Sequence, residues 1–310
     1  MMECYLPKRP DLSIIIVNWN TCDLLHNCLS SIYSKSCATE FTTYVVDNGS
    51  SDGSADMVRA DFPQIILIEN SNNVGFSRAN NQAIAASATP NVLLLNSDTV
   101  INPDVLPETL RLLHSDPSIG ALGCTLVGAD GVAQESYHFH FPHGPTVGGA
   151  NHTIGKELIQ CAHVWGAYLM VKREVIDQVG MLDDTFFMFF EDLDWCWRMH
   201  NAGWKIAFAP NYSITHVCRA SCSQVDPVEH KRRLIKGLAI LREKHEHGFT
   251  YRKWRFWRLL HHGQCAAWYW VLNRIMPSTL TAKKAAEHMS MYQTLNSIPS
   301  LPSYVTRQEQ

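Results

Sequence analysis

The sequence predicts an α/β fold in which a mostly parallel sheet is flanked by helices, with a helical extension at the C-terminus. Short apolar runs alternate with helical patterns between residues 12 and 95, which is typical of strands joined by helical crossovers. Polar clusters follow three of these runs, and the composition becomes helical and basic from Pro227 onward. We therefore expect a catalytic domain at residues 1–225 and a helical region with a weakly ordered tail at residues 226–310.

The first strand is expected at residues 12–17, a continuous β-branched run of the kind that is buried on both faces of a sheet. An amphipathic helix follows it, with apolar residues between Leu24 and Ile32 on one face. Further strands at residues 43–46, 65–68 and 91–95, and a helix at residues 76–88, continue the alternation. Ligands of such sheets bind beyond the carboxyl ends of the strands, where the polar clusters lie.

The rest of the chain is less regular. A hairpin turn is expected at residues 128–131 and a loop rich in Gly, Pro and His at residues 138–150. The elements expected after these are a strand at residues 165–171, a helix at 191–202, a strand at 204–209 with His216 in a loop beyond it, helices from Pro227, and a tail after Pro277 that ends in a weakly ordered segment.

Composition argues against several classes of protein. Hydrophobic residues make up 46% of the 310 residues, enough for a sizeable core, and the net charge of -3 gives no sign of a nucleic-acid partner. Ten cysteines occur without a CxxC pair, so free thiols in a reducing cytosol fit better than a disulfide framework. Residues 1–10 do not resemble a signal peptide, and no apolar run is long enough to span a membrane. These observations predict a cytoplasmic location.

Two aspartates follow predicted strands. Asp47 could accept an N–H of a pyrimidine base, although the composition of residues 47–50 is by itself that of a plain turn. Asp98 follows the polar pair Asn96-Ser97, and a carboxylate at a strand end suits Mg²⁺ or Mn²⁺ bound to a diphosphate. The alternative for this second motif is a helix N-cap, which explains Asn102 better than it explains Asp98.

An acidic cluster follows the aromatic run at residues 186–190. Carboxylates beside such a run are expected to have raised pKa values, which suits a general base, and we favour this role for Glu191 and Asp192. The alternative is compensation of the helix dipole, and the i,i+4 spacing of Asp194 and Arg198 predicts a plain ion pair. His216 is a weak signal by itself, and we do not expect His138, His140 and His143 to form a metal site.

In this order the motifs resemble a family-2 glycosyltransferase with the GT-A fold, and within that family the bacterial rhamnosyltransferase-like branch. The resemblance covers about residues 11–220, and several motifs in register are far more specific than any one alone. The motifs are residues 13–20, 45–53, 73–81, 94–99, 165–167, 190–198 and 203–206, together with His216.

The resemblance implies roles for individual residues. The nucleotide of the donor would contact Asn18, Asn20, Asp47, Asn73, Gly75, Phe76, Asn81 and Ser97. Asp98 would hold Mg²⁺ or Mn²⁺ on the diphosphate, and His216 would supply an imidazole to the same ion. The family's Asp-x-Asp signature has only its last carboxylate here, which leaves the metal short of ligands without His216. Asp192 matches the catalytic base, with Glu191 beside it, and Trp165 matches the acceptor side.

The implied activity is metal-dependent, inverting transfer of a hexosyl group, with rhamnose as the branch-level expectation. The donor would be a UDP- or dTDP-sugar, and the acceptor a glycan or a lipid-linked hydroxyl, in bacterial cell-surface polysaccharide synthesis. The basic, aromatic residues 251–260 are typical of a peripheral contact with the inner face of the membrane, or equally of a helix packed on the catalytic domain. The sequence carries no signal for the oligomeric state.

Three rival functions remain. A sugar-phosphate nucleotidyltransferase is disfavoured because residues 18–21 contain no glycine after the first strand. A catalytically inactive nucleotide-sugar or glycan-binding module is supported by the incomplete Asp-x-Asp signature alone. A lipid-phosphate sugar synthase belongs to the same broad family, and the lack of membrane helices weakens that assignment.

Overall fold

The computed structural model describes residues 10–34, 39–102, 104–142, 144–149, 152–217, 225–246 and 249–298. The chain divides into two compact units. The first comprises Met1–Asp184 and Glu191–Ser221, and the second comprises Thr185–Phe190 and Cys222–Gln310. Nothing in the sequence pattern indicates that the short aromatic segment Thr185–Phe190 belongs with the C-terminal residues.

The first unit contains a ten-stranded sheet within its described residues. The strands of the unit are β1 (Leu12–Asn18), β2 (Phe41–Asp47), β3 (Ile66–Glu69), β4 (Asn91–Asn96), β5 (Thr99–Val100), β6 (Ile119–Val127), β7 (Tyr137–His138), β8 (Thr153–Ile154), β9 (Leu158–Cys161), β10 (His163–Val164), β11 (Tyr168–Lys172) and β12 (Lys205–His216). The order in the sheet is β3-β2-β1-β4-β11-β6-β12-β9-β8, with β5 paired to β12, while β10 and β7 form a separate pair.

The helices of the first unit surround this sheet, and those of the second unit follow in sequence. They are α1 (Cys22–Tyr33), α2 (Ser54–Asp61), α3 (Phe76–Ala86), α4 (Val105–Leu113), α5 (Arg173–Val179) and α6 (Glu191–Asn201), then α7 (Pro227–His245), α8 (Phe249–Ile275) and α9 (Thr279–Ser297). Across the described residues, no helix combines the length and the apolar character needed to cross a bilayer.

The N-terminal half of the sheet is parallel, as predicted. β1 pairs in parallel with β2 and with β4, and the register sets Asn18 opposite Asp47 and Val17 opposite Asn96. The ends of three strands therefore meet at one edge, because parallel strands share a direction. β4, β11 and β6 are antiparallel neighbours, so the strands from the less regular part of the sequence make the sheet mixed.

The core explains why these residues form these elements. Ile14, Ile15 and Ile16 of β1 are fully buried, as a strand covered on both faces requires. Helix α1 buries Leu25, Cys28, Leu29 and Ile32, the apolar face expected from its spacing. The described cysteines, Cys22, Cys28, Cys124, Cys161, Cys196 and Cys265, are free thiols.

Two predicted strands differ from the observed ones. The strand expected at residues 165–171 is interrupted, because Trp165-Gly166-Ala167 forms a turn between β10 and β11 in which the Tyr168 N–H donates to the Trp165 carbonyl (3.3 Å). The strand expected to end at Ala209 continues to His216. Pro210 lies in a register shift between Ala209 and Ser213, and such irregularities are where a sheet tolerates proline. His216 therefore ends a strand and is not in a loop.

Other expectations have mixed outcomes. The hairpin turn at residues 128–131 is confirmed, since the Gly131 N–H donates to the Gly128 carbonyl (2.9 Å). The predicted loop at residues 138–150 carries the end of β7 and a bridge between His140 and Thr146, while His143 and Ala150 lie outside the described residues. Helix α9 occupies most of the tail after Pro277, and residues 299–310 also lie outside the described residues.

Candidate active site

A compact turn closes the ends of β1 and β2. Asp47 is 4% exposed, and its Oδ2 accepts a hydrogen bond from the Ser50 N–H (3.0 Å) while its Oδ1 accepts one from Asn18 Nδ2 (3.3 Å). Asn20 has a left-handed backbone (φ 53°), and its side-chain oxygen accepts from the Ser51 N–H (2.8 Å). Asn18, Asn20 and Asp47 thus lie together, and Asp47 has the turn-forming role that its composition predicted.

The same turn fixes the segment before α3. Asn48 Nδ2 donates to Asn73 Oδ1 (3.0 Å), and Asn48 Oδ1 accepts from the Val74 N–H (3.0 Å). Gly49 has φ 79°, and a Cβ placed there would stand 2.7 Å from the Asn72 Cα, so only glycine fits. Asn48 therefore positions Asn73 and its neighbours, a role that its place in the motif did not reveal.

Helix α3 begins beside this turn. Asn73 Oδ1 accepts from the Gly75 N–H (3.0 Å), and Phe76 is half-buried at the first helical position. Asn81, also expected at the nucleotide, instead donates to the Leu182 carbonyl (2.7 Å) and accepts from the Leu182 N–H (3.1 Å). Both ends of its amide are therefore engaged with backbone, and a contact between Asn81 and the donor stays a prediction.

The pairing of β5 with β12 brings Asp98 and His216 together. Thr99 lies opposite His216, and the Val217 N–H donates to the Asp98 carbonyl (2.9 Å). His216 Nε2 lies 3.4 Å from Asp98 Oδ1, and the two residues are 5% and 8% exposed. Ser97 Oγ lies 3.0 Å from Thr21 Oγ1, so Ser97 joins this region to the start of α1.

The orientation of the His216 ring suits a metal ligand. Gln134 Oε1 lies 2.9 Å from Nδ1 and can only accept, so Nδ1 carries a proton, and in the neutral ring the Nε2 lone pair then faces Asp98. Asn96 Nδ2 lies 3.3 Å from the same Nε2. A buried carboxylate oxygen facing a buried imidazole lone pair is a donor set that fits a divalent cation, with Gln134 as the outer partner that fixes the ring. Gln134 carries no sequence signal of this role.

Asp192 lies at the start of α6, held by groups from three places in the chain. Its Oδ2 accepts from the Gly166 N–H (2.8 Å), its Oδ1 accepts from the Leu193 N–H (2.8 Å), and His163 Nε2 lies 3.4 Å from Oδ2. Burial raises the pKa of Asp192, but the attraction of His163 and these N–H groups outweighs it, so the pKa lies below its usual value. The raised pKa expected for Asp192 is therefore wrong, and the side chain remains 19% exposed.

Glu191 has the opposite environment. Burial, and then the charge of Asp192, raise its pKa to about 8, and the prediction of a raised pKa is confirmed for this residue. Its Oε2 is buried with no hydrogen-bond partner among the described residues. Neighbouring carboxyls whose pKa values are pushed apart can serve as an ionised base and a neutral acid at the same pH.

We expect Glu191→Gln to stabilise the protein increasingly as pH rises. Between pH 4.5, the ordinary pKa of this group, and about pH 8, Glu191 takes up a proton when the chain folds. The stability that Glu191 contributes is therefore fully present below pH 4.5 and is lost as the pH rises to about 8. Thermal unfolding at pH 5 and pH 8.5 measures the effect, and at pH 8.5 the variant should melt at least about 2–4 °C above wild type. Glu174→Gln, at an exposed position on α5, is the control, and equal shifts at both pH values would contradict the assignment.

His163 is a site residue that the sequence did not reveal. It is 6% exposed, lies on β10, and stacks on His138 with ring centroids 5.8 Å apart. Its role depends on the β10–β7 pairing, which has no local signature. By attracting the Asp192 charge, His163 helps to keep this carboxylate ionised.

We expect His163→Asn to move the acid limb of the pH–rate profile to higher pH, because the pKa of Asp192 rises when the attraction of His163 is lost. A purely structural role would lower the rate equally at every pH and leave the limb in place. The measurement is the initial rate of the expected sugar transfer between pH 4 and 8, with His140→Asn as a control at an exposed histidine.

Three further features lie near this carboxylate pair. Phe189 and Phe190, which immediately precede Glu191, have left-handed backbones (φ 73° and 71°), a strained conformation for bulky residues that is commonly found at functional sites. The predicted ion pair of Asp194 with Arg198 is confirmed at 2.8 Å. Trp165 is 37% exposed and precedes Gly166, whose N–H holds Asp192.

The Asp47 turn, the Asp98–His216 pair and the hydrogen-bonded Asp192 all lie within one segment that matches a known family. Residues 10–233 match the family described as glycosyltransferase like family 2. The chain belongs to this family.

Relatives of this glycosyltransferase-like chain come from archaea and bacteria. The low-salt glycan biosynthesis hexosyltransferase Agl10 of Haloferax volcanii is 32% identical over 198 residues, with 61% of each chain covered. The N-acetylglucosaminyl-diphospho-decaprenol L-rhamnosyltransferase of Mycobacterium tuberculosis is 25% identical, covering 71% of this chain and 80% of the relative. The chain thus spans about three fifths of the length of the hexosyltransferase.

Two solved structures share the fold. One is the mannosyltransferase PcManGT from Pyrobaculum calidifontis in complex with GDP-Man and Mn²⁺, with a TM-score of 0.55, 14% identity, and coverage of 93% of this chain and 86% of that one. The other is GalNAc-T7 with UDP, GalNAc and Mn²⁺, with a TM-score of 0.60, 13% identity, and coverage of 95% and 57%. The predicted GT-A fold is confirmed for this family-2 chain.

Proposed function

We propose that this chain is an inverting glycosyltransferase that moves a hexosyl group from a nucleoside diphosphate sugar to an acceptor hydroxyl. The observation that carries the proposal is the buried Asp98–His216 pair, in which His216 Nε2 faces the carboxylate. This pair lies beside the same sheet whose strand ends carry the Asp47 turn. Membership of the family and its hexosyl- and rhamnosyltransferase relatives support the same activity.

The nucleotide would bind at the turn after β2. Each Asp47 oxygen accepts one hydrogen bond within the turn, and a carboxylate oxygen has a further lone pair for a base N–H. Asn18, Asn20 and Ser97 would border the nucleotide on one side, and Asn73, Gly75 and Phe76 on the other, where Asn48 bonds to Asn73 and Gly75. We propose UDP or dTDP as the carrier, because Asp47 suits the N–H of uracil or thymine.

Asp98 and His216 would hold a divalent cation, Mg²⁺ or Mn²⁺, on the diphosphate. When bound, the ion supplies positive charge that offsets the charge growing on the leaving diphosphate. Gln134 would keep the imidazole turned toward the ion, and Asn96 would occupy the position where the family signature has its first carboxylate.

Asp192 would act as the general base. Its lowered pKa keeps it ionised at neutral pH, and the N–H groups of Gly166 and Leu193 hold it in place while part of it remains exposed. It would take the proton of the acceptor hydroxyl as that oxygen attacks the anomeric carbon, and the diphosphate would leave from the opposite face. Glu191, neutral near pH 7, would leave Asp192 as the one charged carboxylate of the pair, and Trp165 would contact the acceptor.

A ligand screen tests this function. Thermal unfolding is measured with UDP, dTDP or GDP, each with Mn²⁺, Mg²⁺ or EDTA. One pyrimidine nucleotide should raise the free energy of unfolding in a metal-dependent way, by about 2.7 kcal/mol at a hundredfold excess over Kd. dTDP-rhamnose is the first donor to test, with release of the nucleoside diphosphate as the readout and a polyprenyl-linked glycan of the cell-surface polysaccharide type as the acceptor. Binding without transfer or hydrolysis would instead support the inactive binding module, and transfer to a lipid phosphate the lipid-phosphate sugar synthase.

The exposed face of α8 supports peripheral membrane binding at the inner leaflet. Trp257, Trp268 and Ile275 are 57%, 61% and 69% exposed. At about 100° per residue they fall within about 20° of one another around the helix, and Lys253 lies close to the same line. Exposed Trp and Ile with basic neighbours suit a membrane interface with anionic headgroups.

We expect the double variant Trp257→Ser and Trp268→Ser to lose binding to liposomes that contain anionic lipid, as measured by flotation. Val132→Ser, a similarly exposed apolar residue in the turn after β6, is the control and should float like wild type. Equal flotation of the double variant and wild type would remove the membrane role of this face.

A further inference from the structure

Three histidines meet between the second and third helices of the C-terminal unit, far in sequence from the residues assigned to the donor and to proton transfer. His261 and His262 lie on α8 and His288 lies on α9. One ring nitrogen from each lies within 4.8 Å of the other two. The rings of all three contact one another, with centroids 5.1 to 5.8 Å apart.

The spacing of the nitrogens suits a single small ion. His262 Nδ1 and His288 Nδ1 are 3.1 Å apart. With metal–nitrogen bonds of about 2.0–2.1 Å and a tetrahedral angle, two ligand nitrogens stand about 3.4 Å apart. The observed pair needs only a slight opening to share an ion, and the His261 nitrogen, within 4.8 Å of the other two, would have to move closer to join them.

His262 is the buried member of the cluster. It is 7% exposed, and its Nε2 has no hydrogen-bond partner among the described residues.

Access to the cluster also suits a bound cation. Glu287, next to His288, forms an ion pair with Lys231, which offsets a positive charge close to the site. His261 is exposed, so the ion would have a route from solvent and a place for a water ligand. An all-imidazole set is preferred by Zn²⁺, Ni²⁺ and Cu²⁺ over Mg²⁺ and Mn²⁺, whereas Asp98 offers the oxygen that the latter prefer.

We propose that His261, His262 and His288 form a transition-metal site, selective for Zn²⁺ and similar imidazole-binding ions, that ties α8 to α9. The site does not depend on the transferase activity. It is separate in ligand type from the Asp98–His216 pair, so one chain would carry a mixed oxygen and nitrogen site for the donor and a nitrogen-only site for structure.

Metal titration of the full chain tests the site. The protein is stripped with EDTA, dialysed, and titrated with Zn²⁺, and then with Co²⁺ to record the visible absorbance of a tetrahedral ion, and the Asp98–His216 pair is the same in every protein that is compared. His261→Gln and His288→Gln should each weaken Zn²⁺ binding by at least about 10–100-fold, the loss that even an outer partner of a ligand causes. His152→Gln, at an exposed histidine of the first unit, should bind like wild type.

The comparison of variants with their parent excludes binding by cysteines, which all the proteins share. His261 is exposed, so its replacement leaves the packing between α8 and α9 in place even if His288→Gln disturbs the fold. Loss of one equivalent of tightly bound Zn²⁺ in the His261 variant supports the site. Equal Zn²⁺ affinity in the parent, His261→Gln and His288→Gln would overturn it, as would the lack of a Zn²⁺-sensitive Co²⁺ spectrum in the parent.

Discussion

Asp192→Asn should lower the rate of sugar transfer by about 10²–10⁴-fold, the range that a positioned general base contributes. The amide cannot take the proton of the acceptor hydroxyl, yet it keeps the shape of the side chain and an oxygen that can accept from the Gly166 N–H. Donor binding should be unchanged, because the residues assigned to the nucleotide and the metal are untouched.

Two measurements separate these effects. Release of nucleoside diphosphate in the presence of acceptor gives the rate, and calorimetric titration with the donor and Mn²⁺ gives the affinity. Asp177→Asn, the same chemical change at an exposed position on α5, should behave as wild type. A rate within about threefold of wild type for Asp192→Asn would show that another group takes the proton.

Asp98→Ala should weaken metal-dependent donor binding by at least about 10–100-fold, since a direct ligand contributes at least as much as an outer one. The buried His216 imidazole would be left facing an empty space in place of a carboxylate. Gln134→Leu should give a smaller loss of the same kind, because it frees the His216 ring without removing a ligand.

The readout is donor affinity with Mn²⁺ and with EDTA, for each variant and for wild type. In the variants the two affinities should converge, while Asp104→Ala, at an exposed acidic residue before α4, should keep the wild-type difference. If EDTA left the donor affinity of wild type unchanged, the metal role of Asp98 and His216 would be wrong.

The parallel half of the fold could be predicted because its signals are local. The apolar run predicts the strand β1, and the helical spacing predicts the helix α1. Because the carboxyl ends of parallel strands meet at one edge of the sheet, Asn18 and Asp47 are then expected to lie together. β12 could not be bounded in this way, because Pro210 is a breaker by local rules and is accommodated only by the pairing with β6. The two-residue strand β5 likewise exists only through its partner.

The site residues likewise divide into those with a local sequence signal and those without one. Asp192 is a motif residue, but the direction of its pKa shift comes from Gly166 and His163, which reach it only through the folding of β10 and the turn after it. Gln134 and Asn48 are ordinary loop and turn residues until their amides are seen to hold His216 and Asn73. Roles that depend on side-chain hydrogen bonds across the sheet have no periodicity or spacing to reveal them.

The position of His216 at the last residue of β12 determines when the Asp98–His216 pair can form during synthesis and folding. Asp47 and Asp98 are synthesised long before His216, yet β12 lies between β6 and β9, inside the sheet. The strand that delivers the imidazole to Asp98 is therefore also the strand that joins the two flanks of the sheet. A nascent or truncated chain that stops before residue 216 would carry the Asp47 turn without the second of the two proposed metal ligands, so on the proposed function binding of the metal and donor would begin only when the sheet is complete.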